Sequence, residues 1–100
     1  QGALQPFTGH IPYSVSKAGI VMLTRLLALA LAPSVRVNAV APGTIIVPGE
    51  EEGAPAKPPA DTIPLKRYGM PEDVAEAVIY LAKAEYVTGV VLAVDGGATV

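Results

Sequence analysis

The pattern of apolar and polar positions changes character several times along the chain. Gly2, Pro6, Gly9 and Pro12 break any regular period, so residues 1–12 read as loop. From Tyr13 to Ala32 the pattern turns helical, with Ala, Leu, Met, Lys and Arg dominant and Gly19 the one interruption. Val15, Ala18, Ile20, Val21, Met22, Leu23, Leu26, Leu27, Leu29 and Leu31 fall on nearly every face. A helix that is apolar all round expects to be buried all round. Pro33 stops it.

Residues 35–41, Val-Arg-Val-Asn-Ala-Val-Ala, alternate and are rich in Val, which predicts a strand that Pro42-Gly43 ends. Residues 44–64 carry Pro48, Pro55, Pro58, Pro59, Pro64 and the acidic run Glu50-Glu51-Glu52. A connection of that length in a compact domain is usually a lid or a disordered segment. A second helix starts near Pro71, where a proline at the first helical position and Glu72 and Asp73 in the first turn suit the helix dipole. Val74, Ala77, Val78 and Leu81 give it an apolar stripe, and it fades by Ala84–Glu85. Gly89 then precedes Val90-Val91-Leu92-Ala93-Val94, a continuous apolar run of the kind found in buried parallel strands, closed by Asp95-Gly96-Gly97.

The order helix, strand, long loop, helix, strand places a βαβ unit in the second half, which implies parallel strands and a right-handed crossover. Two such strands cannot stand alone, because parallel sheets are covered on both faces. The predicted class is therefore α/β, one side of a larger parallel sheet. Composition sharpens this. With 51% apolar residues and a net charge of -2, the chain is too apolar for its length to cover itself comfortably. The seven Lys and Arg are scattered, which argues against nucleic acid as a partner. There is no cysteine, so no disulfide framework or thiolate metal site, and the lone His10 makes a metal centre unexpected. No apolar stretch approaches the length of a membrane span, and the opening residues do not read as a signal peptide, so a cytoplasmic location is expected.

Four motifs in order carry a resemblance. Tyr13-Ser14-Val15-Ser16-Lys17 is a Y-x-x-x-K element, and Arg36-Val37-Asn38 with Pro42-Gly43 follows R-V-N-x-x-x-P-G. Pro71-Glu72-Asp73-Val74-Ala75 and Thr88-Gly89 through Leu92-Ala93-Val94-Asp95-Gly96-Gly97 complete the set. Together they resemble the C-terminal part of a short-chain dehydrogenase/reductase and cover nearly the whole chain. Residues 29–36, Pro42-Gly43-Thr44-Ile45-Ile46-Val47-Pro48, 63–69 and 86–89 look most like the pteridine reductase branch, with a 3-oxoacyl-carrier-protein reductase-like enzyme as the alternative.

The resemblance implies the C-terminal portion of a doubly wound Rossmann-type sheet over residues 1–100, with the N-terminal cofactor-binding half outside them and 44–64 as the substrate loop. It implies an NADP- or NAD-dependent reduction of a carbonyl or pterin, and a homo-oligomer, commonly a tetramer. Tyr13 would be the general acid. Lys17, four residues on and on the same helix face, would lower the phenol's pKa and hold the nicotinamide ribose. Tyr13, Lys17, Pro42, Gly43, Thr44 and Ile45 would border the cofactor, the Ile45 backbone pairing its carboxamide. Val47 stands where many members place a cofactor-touching Thr, which puts that contact in doubt. The family's catalytic serine and Gly-rich phosphate loop would lie ahead of residue 1, so this chain alone is expected to be inert; a non-catalytic member is the competing reading. The residues also admit plainer roles: a solvated acidic run at 50–52, an ordinary loop His10, Pro42-Gly43 as a plain turn, Asp95 closing the last strand and Asn38 bonding nearby backbone.

Overall fold

A computed structural model describes residues 4–47, 49 and 57–100, with side chains from residue 16 onward. In chain order it contains helix α1 (Leu4–Leu31), strand β1 (Ala39–Pro42), a short 3-10 helix (Ala60–Thr62), helix α2 (Pro71–Lys83) and strand β2 (Val91–Val94). The strands pair in parallel, Ala39 opposite Val91 through Pro42 opposite Val94. This is the predicted βαβ unit.

Three boundaries differ from the sequence expectation. The first concerns residues 1–12: from Leu4 onward they are helix, not loop. Pro6 falls in the first turn, where its missing N–H has no intrahelical acceptor to lose. Pro12 forfeits only the bond to Thr8, and the strong segment behind it propagates the helix. The second concerns residues 35–38, which stay outside the ladder because side chains replace part of it. The Val37 N–H donates to Thr88 Oγ1 at 3.0 Å, the Gly89 N–H to the Val37 carbonyl at 2.7 Å, and the Val90 N–H to Asn38 Oδ1 at 3.0 Å. Asn38 Nδ2 in turn donates to the Val87 carbonyl at 3.0 Å, the backbone role expected of it. The third concerns the long connection, which is not featureless: Ile45 pairs with Gly69 in an isolated parallel bridge, and residues 60–62 form the 3-10 turn. Pro48 and residues 50–56, with the acidic run, lie outside the described residues.

Helix α2 is fixed at both ends. The Asp73 carboxylate accepts the Met70 N–H at 2.7 Å, and Pro71 occupies the first turn. At the far end Arg36 Nη1 and Nη2 donate to the Leu81 and Ala82 carbonyls, each at 2.8 Å. These are terminal carbonyls with no helical N–H to receive, and a cation beside them also suits the dipole.

The core is small. Ile63, Ala77, Leu81, Ala28 and Thr24 are buried. Thr24 satisfies its hydroxyl on the Ile20 carbonyl, 2.7 Å away. Ala28 seats α1 against the β1–β2 side, 3.4 Å from where a Cβ on Gly89 would stand. The expectation that α1 is buried all round is not met within this chain: Ile20, Met22, Leu23 and Leu26 are exposed, and Leu29 is 78% exposed. A two-stranded sheet has too little surface to cover a helix that is apolar on every side. Among the described residues no helix is long and apolar enough to cross a membrane.

Candidate active site

The carboxyl ends of two parallel strands lie side by side, which is where open α/β sheets bind ligands. Pro42 ends β1 opposite Val94, and the Gly43 N–H continues the ladder by donating to the Val94 carbonyl at 2.9 Å. Gly43 then passes hard against Asp95: a Cβ placed on it would stand 2.7 Å from the Asp95 Cβ and 2.8 Å from its Cα. No side chain fits there, so Pro42-Gly43 is more than a plain turn; it is a close crossing of two backbones.

Asp95 fixes the end of β2 as expected. Its carboxylate accepts the Gly97 N–H at 3.0 Å and the Thr99 hydroxyl at 2.5 Å. The Thr99 hydrogen bond is the main cause that holds this carboxyl below the usual range; partial burial opposes it, and the Gly97 and Thr99 amides and the Lys17 charge add to it. The Lys17 ammonium, half-buried on α1, therefore acts electrostatically on the strand ends.

Thr44 and Ile45 follow Gly43 along the same edge. The Gly69 N–H donates to the Thr44 carbonyl, and the Ile46 N–H to the Gly69 carbonyl, both at 2.9 Å. In a parallel bridge of this kind the intervening residue turns its own N–H and C=O to the opposite edge. Those two groups of Ile45 have no partner among the described residues. A donor and an acceptor side by side match a primary carboxamide, so the residues present fit a nicotinamide at this edge.

Tyr13 lies on α1 one turn before Lys17, the spacing that puts two residues on one helix face. Its side chain is outside the described residues, as are those of His10 and Ser14; Ser16 is exposed. Beside the Ile45–Gly69 bridge a cavity of about 420 Å³ is lined by Thr44, Ile63, Leu65, Arg67, Asp73 and Asp95, among others. It adjoins the strand ends but does not include Lys17, Pro42 or Gly43. Sequence reasoning missed the Ile45–Gly69 bridge and the ion pair of Arg67 with Asp73, 3.1 Å. Only the proline-initiated helix start pointed towards Asp73, and there as a partner of the dipole.

A family model described as enoyl-(acyl carrier protein) reductase matches residues 1–99. The chain belongs to the short-chain dehydrogenase/reductase family. It is 52% identical over 98 residues to a ketoacyl reductase assigned to the granaticin polyketide synthase of Streptomyces violaceoruber, covering 94% of this chain and 39% of that protein. It is 45% identical over 95 residues to the 3-oxoacyl-[acyl-carrier-protein] reductase FabG of Thermotoga maritima, covering 89% and 38%. Among solved structures it is similar to Thermoplasma acidophilum aldohexose dehydrogenase, with a TM-score of 0.71, 36% identity, and 87% of this chain and 40% of that one covered. The chain thus spans about 40% of the length of these short-chain dehydrogenase/reductase relatives. The family is one of oxidoreductases that use NAD(P)(H), and its α/β fold is the one found here.

Proposed function

We propose that the protein containing this chain is an NADP- or NAD-dependent reductase that delivers hydride to a carbonyl or pterin substrate, with Tyr13 as general acid. The observation that supports the reading is found at the strand ends: Ile45, two residues beyond Gly43, has a backbone N–H and C=O without a partner among the described residues, and the Lys17 charge is felt at Asp95. When bound, the nicotinamide supplies the hydride. The Tyr13 phenol would give its proton to the atom left negative by hydride addition, the oxygen of a carbonyl or the ring nitrogen of a pterin, and take one back in the reverse direction. Lys17 stabilises the phenolate left behind and holds the ribose hydroxyls. The Ile45 N–H and C=O hold the carboxamide, and Gly43 keeps the turn close enough to the sheet for that edge to be presented. Pro42 and Thr44 complete the border.

Two substrate readings are supported by different observations. The likeness of residues 42–48 and 63–69 to the pteridine reductase branch favours a pterin. The ketoacyl and 3-oxoacyl names of two relatives favour an oxoacyl thioester. The 44–64 segment would cover either substrate. The phosphate-binding half of the nucleotide fold would come from sequence ahead of residue 1, α1 would be covered by that half and by another subunit of a homo-oligomer, and the protein would work in the cytoplasm.

Tyr13→Phe tests the chemistry. In the intact protein it should lower kcat by about 10²–10⁴-fold while NADPH or NADH still binds, as read by nicotinamide fluorescence. Near-normal turnover would refute the role of Tyr13. A wild-type protein without coenzyme binding would favour a non-catalytic member.

A further inference from the structure

The segment that holds Ile45 in place is itself built around one carboxylate. Asp73 accepts the Met70 N–H at 2.7 Å and two guanidinium donors of Arg67, Nη1 at 3.1 Å and Nη2 at 3.3 Å. Arg67 Nη1 also donates to the Tyr68 carbonyl at 3.0 Å. Residues 67–70 are therefore wrapped round Asp73, with Gly69 inside the wrap. Gly69 is the residue that pairs with Ile45, by both backbone hydrogen bonds of the bridge. The approach is tight: a Cβ on Gly69 would stand 2.6 Å from the Ile45 Cδ1. Asp73 rides on α2, which is anchored by buried Ala77 and Leu81. A line therefore runs from α2 through Asp73 to Met70, the chain neighbour of Gly69, and from Gly69 to the Ile45 edge.

We infer that Arg67 and Asp73 are positioning residues for the coenzyme: they hold Gly69, and Gly69 sets the angle at which Ile45 presents the N–H and C=O that have no partner among the described residues. The inference rests on the reading of Ile45 as the nicotinamide-facing residue. Solvent exposure separates this role from a stabilising one. The Arg67 side chain is 58% exposed, so its ion pair contributes little to folding. A single bridge, by contrast, has no neighbouring rungs to correct its register. Loss of the wrap should therefore displace the Ile45 edge with little change in melting temperature.

The test compares two ligands on the intact protein. NADPH or NADH, whichever the wild type binds, carries the nicotinamide; the matching ADP-ribose, with or without its 2′-phosphate, lacks it. Asp73→Asn keeps an acceptor for the Met70 N–H but loses the charge that gathers Arg67. It should weaken binding of the reduced coenzyme about tenfold, as expected of a small misplacement at a binding edge, and leave ADP-ribose affinity unchanged. Arg67→Met leaves the α2 cap intact and should act in the same direction even if Asp73→Asn fails to fold; Arg67→Lys should recover part of the loss. Equal weakening of both ligands, or of neither, in a folded variant would overturn the inference while leaving the role of Ile45 standing. A wild type that binds neither ligand would overturn the reading beneath it, and the inference with it.

Discussion

Helix α1 and the β1–α2–β2 unit are made from similar residues but behave differently. The unit satisfies itself: α2 is capped at one end by Asp73 and at the other by Arg36, the strands pair over four residues each, and the corners close on Gly43, Gly69 and Asp95. Its exposed apolar residues are scattered, with Val78, Ile79 and Tyr80 on α2 and Leu65, Met70 and Tyr86 on the connections. Helix α1 buries Thr24, bonded only to its own Ile20 carbonyl, and Ala28, and shows most of its Leu, Ile and Met side chains to solvent. Local hydrogen bonding defines the unit, whereas α1 needs surfaces from elsewhere to be stable as a buried element. The proposed chemistry lies across the seam, with Tyr13 and Lys17 on the dependent part and Gly43 to Ile45 on the self-sufficient one.

The sharpest way to break this contrast is to charge the open face of α1. Leu26 and Leu29 lie three residues apart on one face and are both exposed in this chain. In the intact protein, Leu26→Glu with Leu29→Glu should split the expected oligomer, read as a fall in mass by light scattering. A carboxylate pair buried in an apolar interface has no partner to offset its desolvation. An unchanged mass would mean that no second subunit covers this face.

The contrast also explains what the sequence could and could not reveal. The two strands and α2 were legible because each carries a local signal: alternating or continuous Val-rich runs, and a proline followed by acids. Asn38 and Asp95 were legible for the same reason, since a polar residue at a strand position or strand end seeks nearby backbone. The pairing of Tyr13 with Lys17 on one face needs only their spacing. The helix over residues 4–12 is hidden in the sequence because Pro6 and Pro12 look like breakers, although the first turn tolerates one and the strong segment behind the other carries the helix through. The start of β1 shifted because Asn38 and Thr88 side chains stand in for ladder bonds, which no periodicity encodes. The Ile45–Gly69 bridge and the Arg67–Asp73 pair join residues across loop, where sequence has no repeat to betray a contact.

A change at the seam should act on the self-sufficient side with intermediate force. Gly43→Ala puts a methyl group 2.7 Å from the Asp95 Cβ and 2.8 Å from its Cα, so two backbones must part. Overpacking of that kind costs about 1–3 kcal/mol, and this contact with main chain belongs at the upper end. Urea denaturation of the intact protein should show it, together with a raised KM for the coenzyme. An unchanged midpoint would mean that the crossing of Gly43 over Asp95 is looser than described.

The smallest effect, and the one that probes the link between the two regions, is electrostatic. The Asp95 carboxyl is held below its ordinary range by Thr99 first, with the Lys17 charge a minor contributor. A carboxyl depressed in the folded state adds stability above its unfolded pKa, and that stability is lost as pH falls through the folded value. The melting temperature should therefore fall as acid is added below about pH 4, the ordinary carboxylate value, and Asp95→Asn should flatten that part of the curve. Thr99→Val should raise the Asp95 pKa more than Lys17→Met does, because a direct hydroxyl donor outweighs a charge beyond ion-pair distance. Carbon-detected NMR titration of the Asp95 carboxyl would rank the two. If Lys17→Met moved it more than Thr99→Val, the ammonium would sit closer to the strand end than described, and α1 would be coupled to the β1–α2–β2 unit by charge rather than by the seat at Ala28.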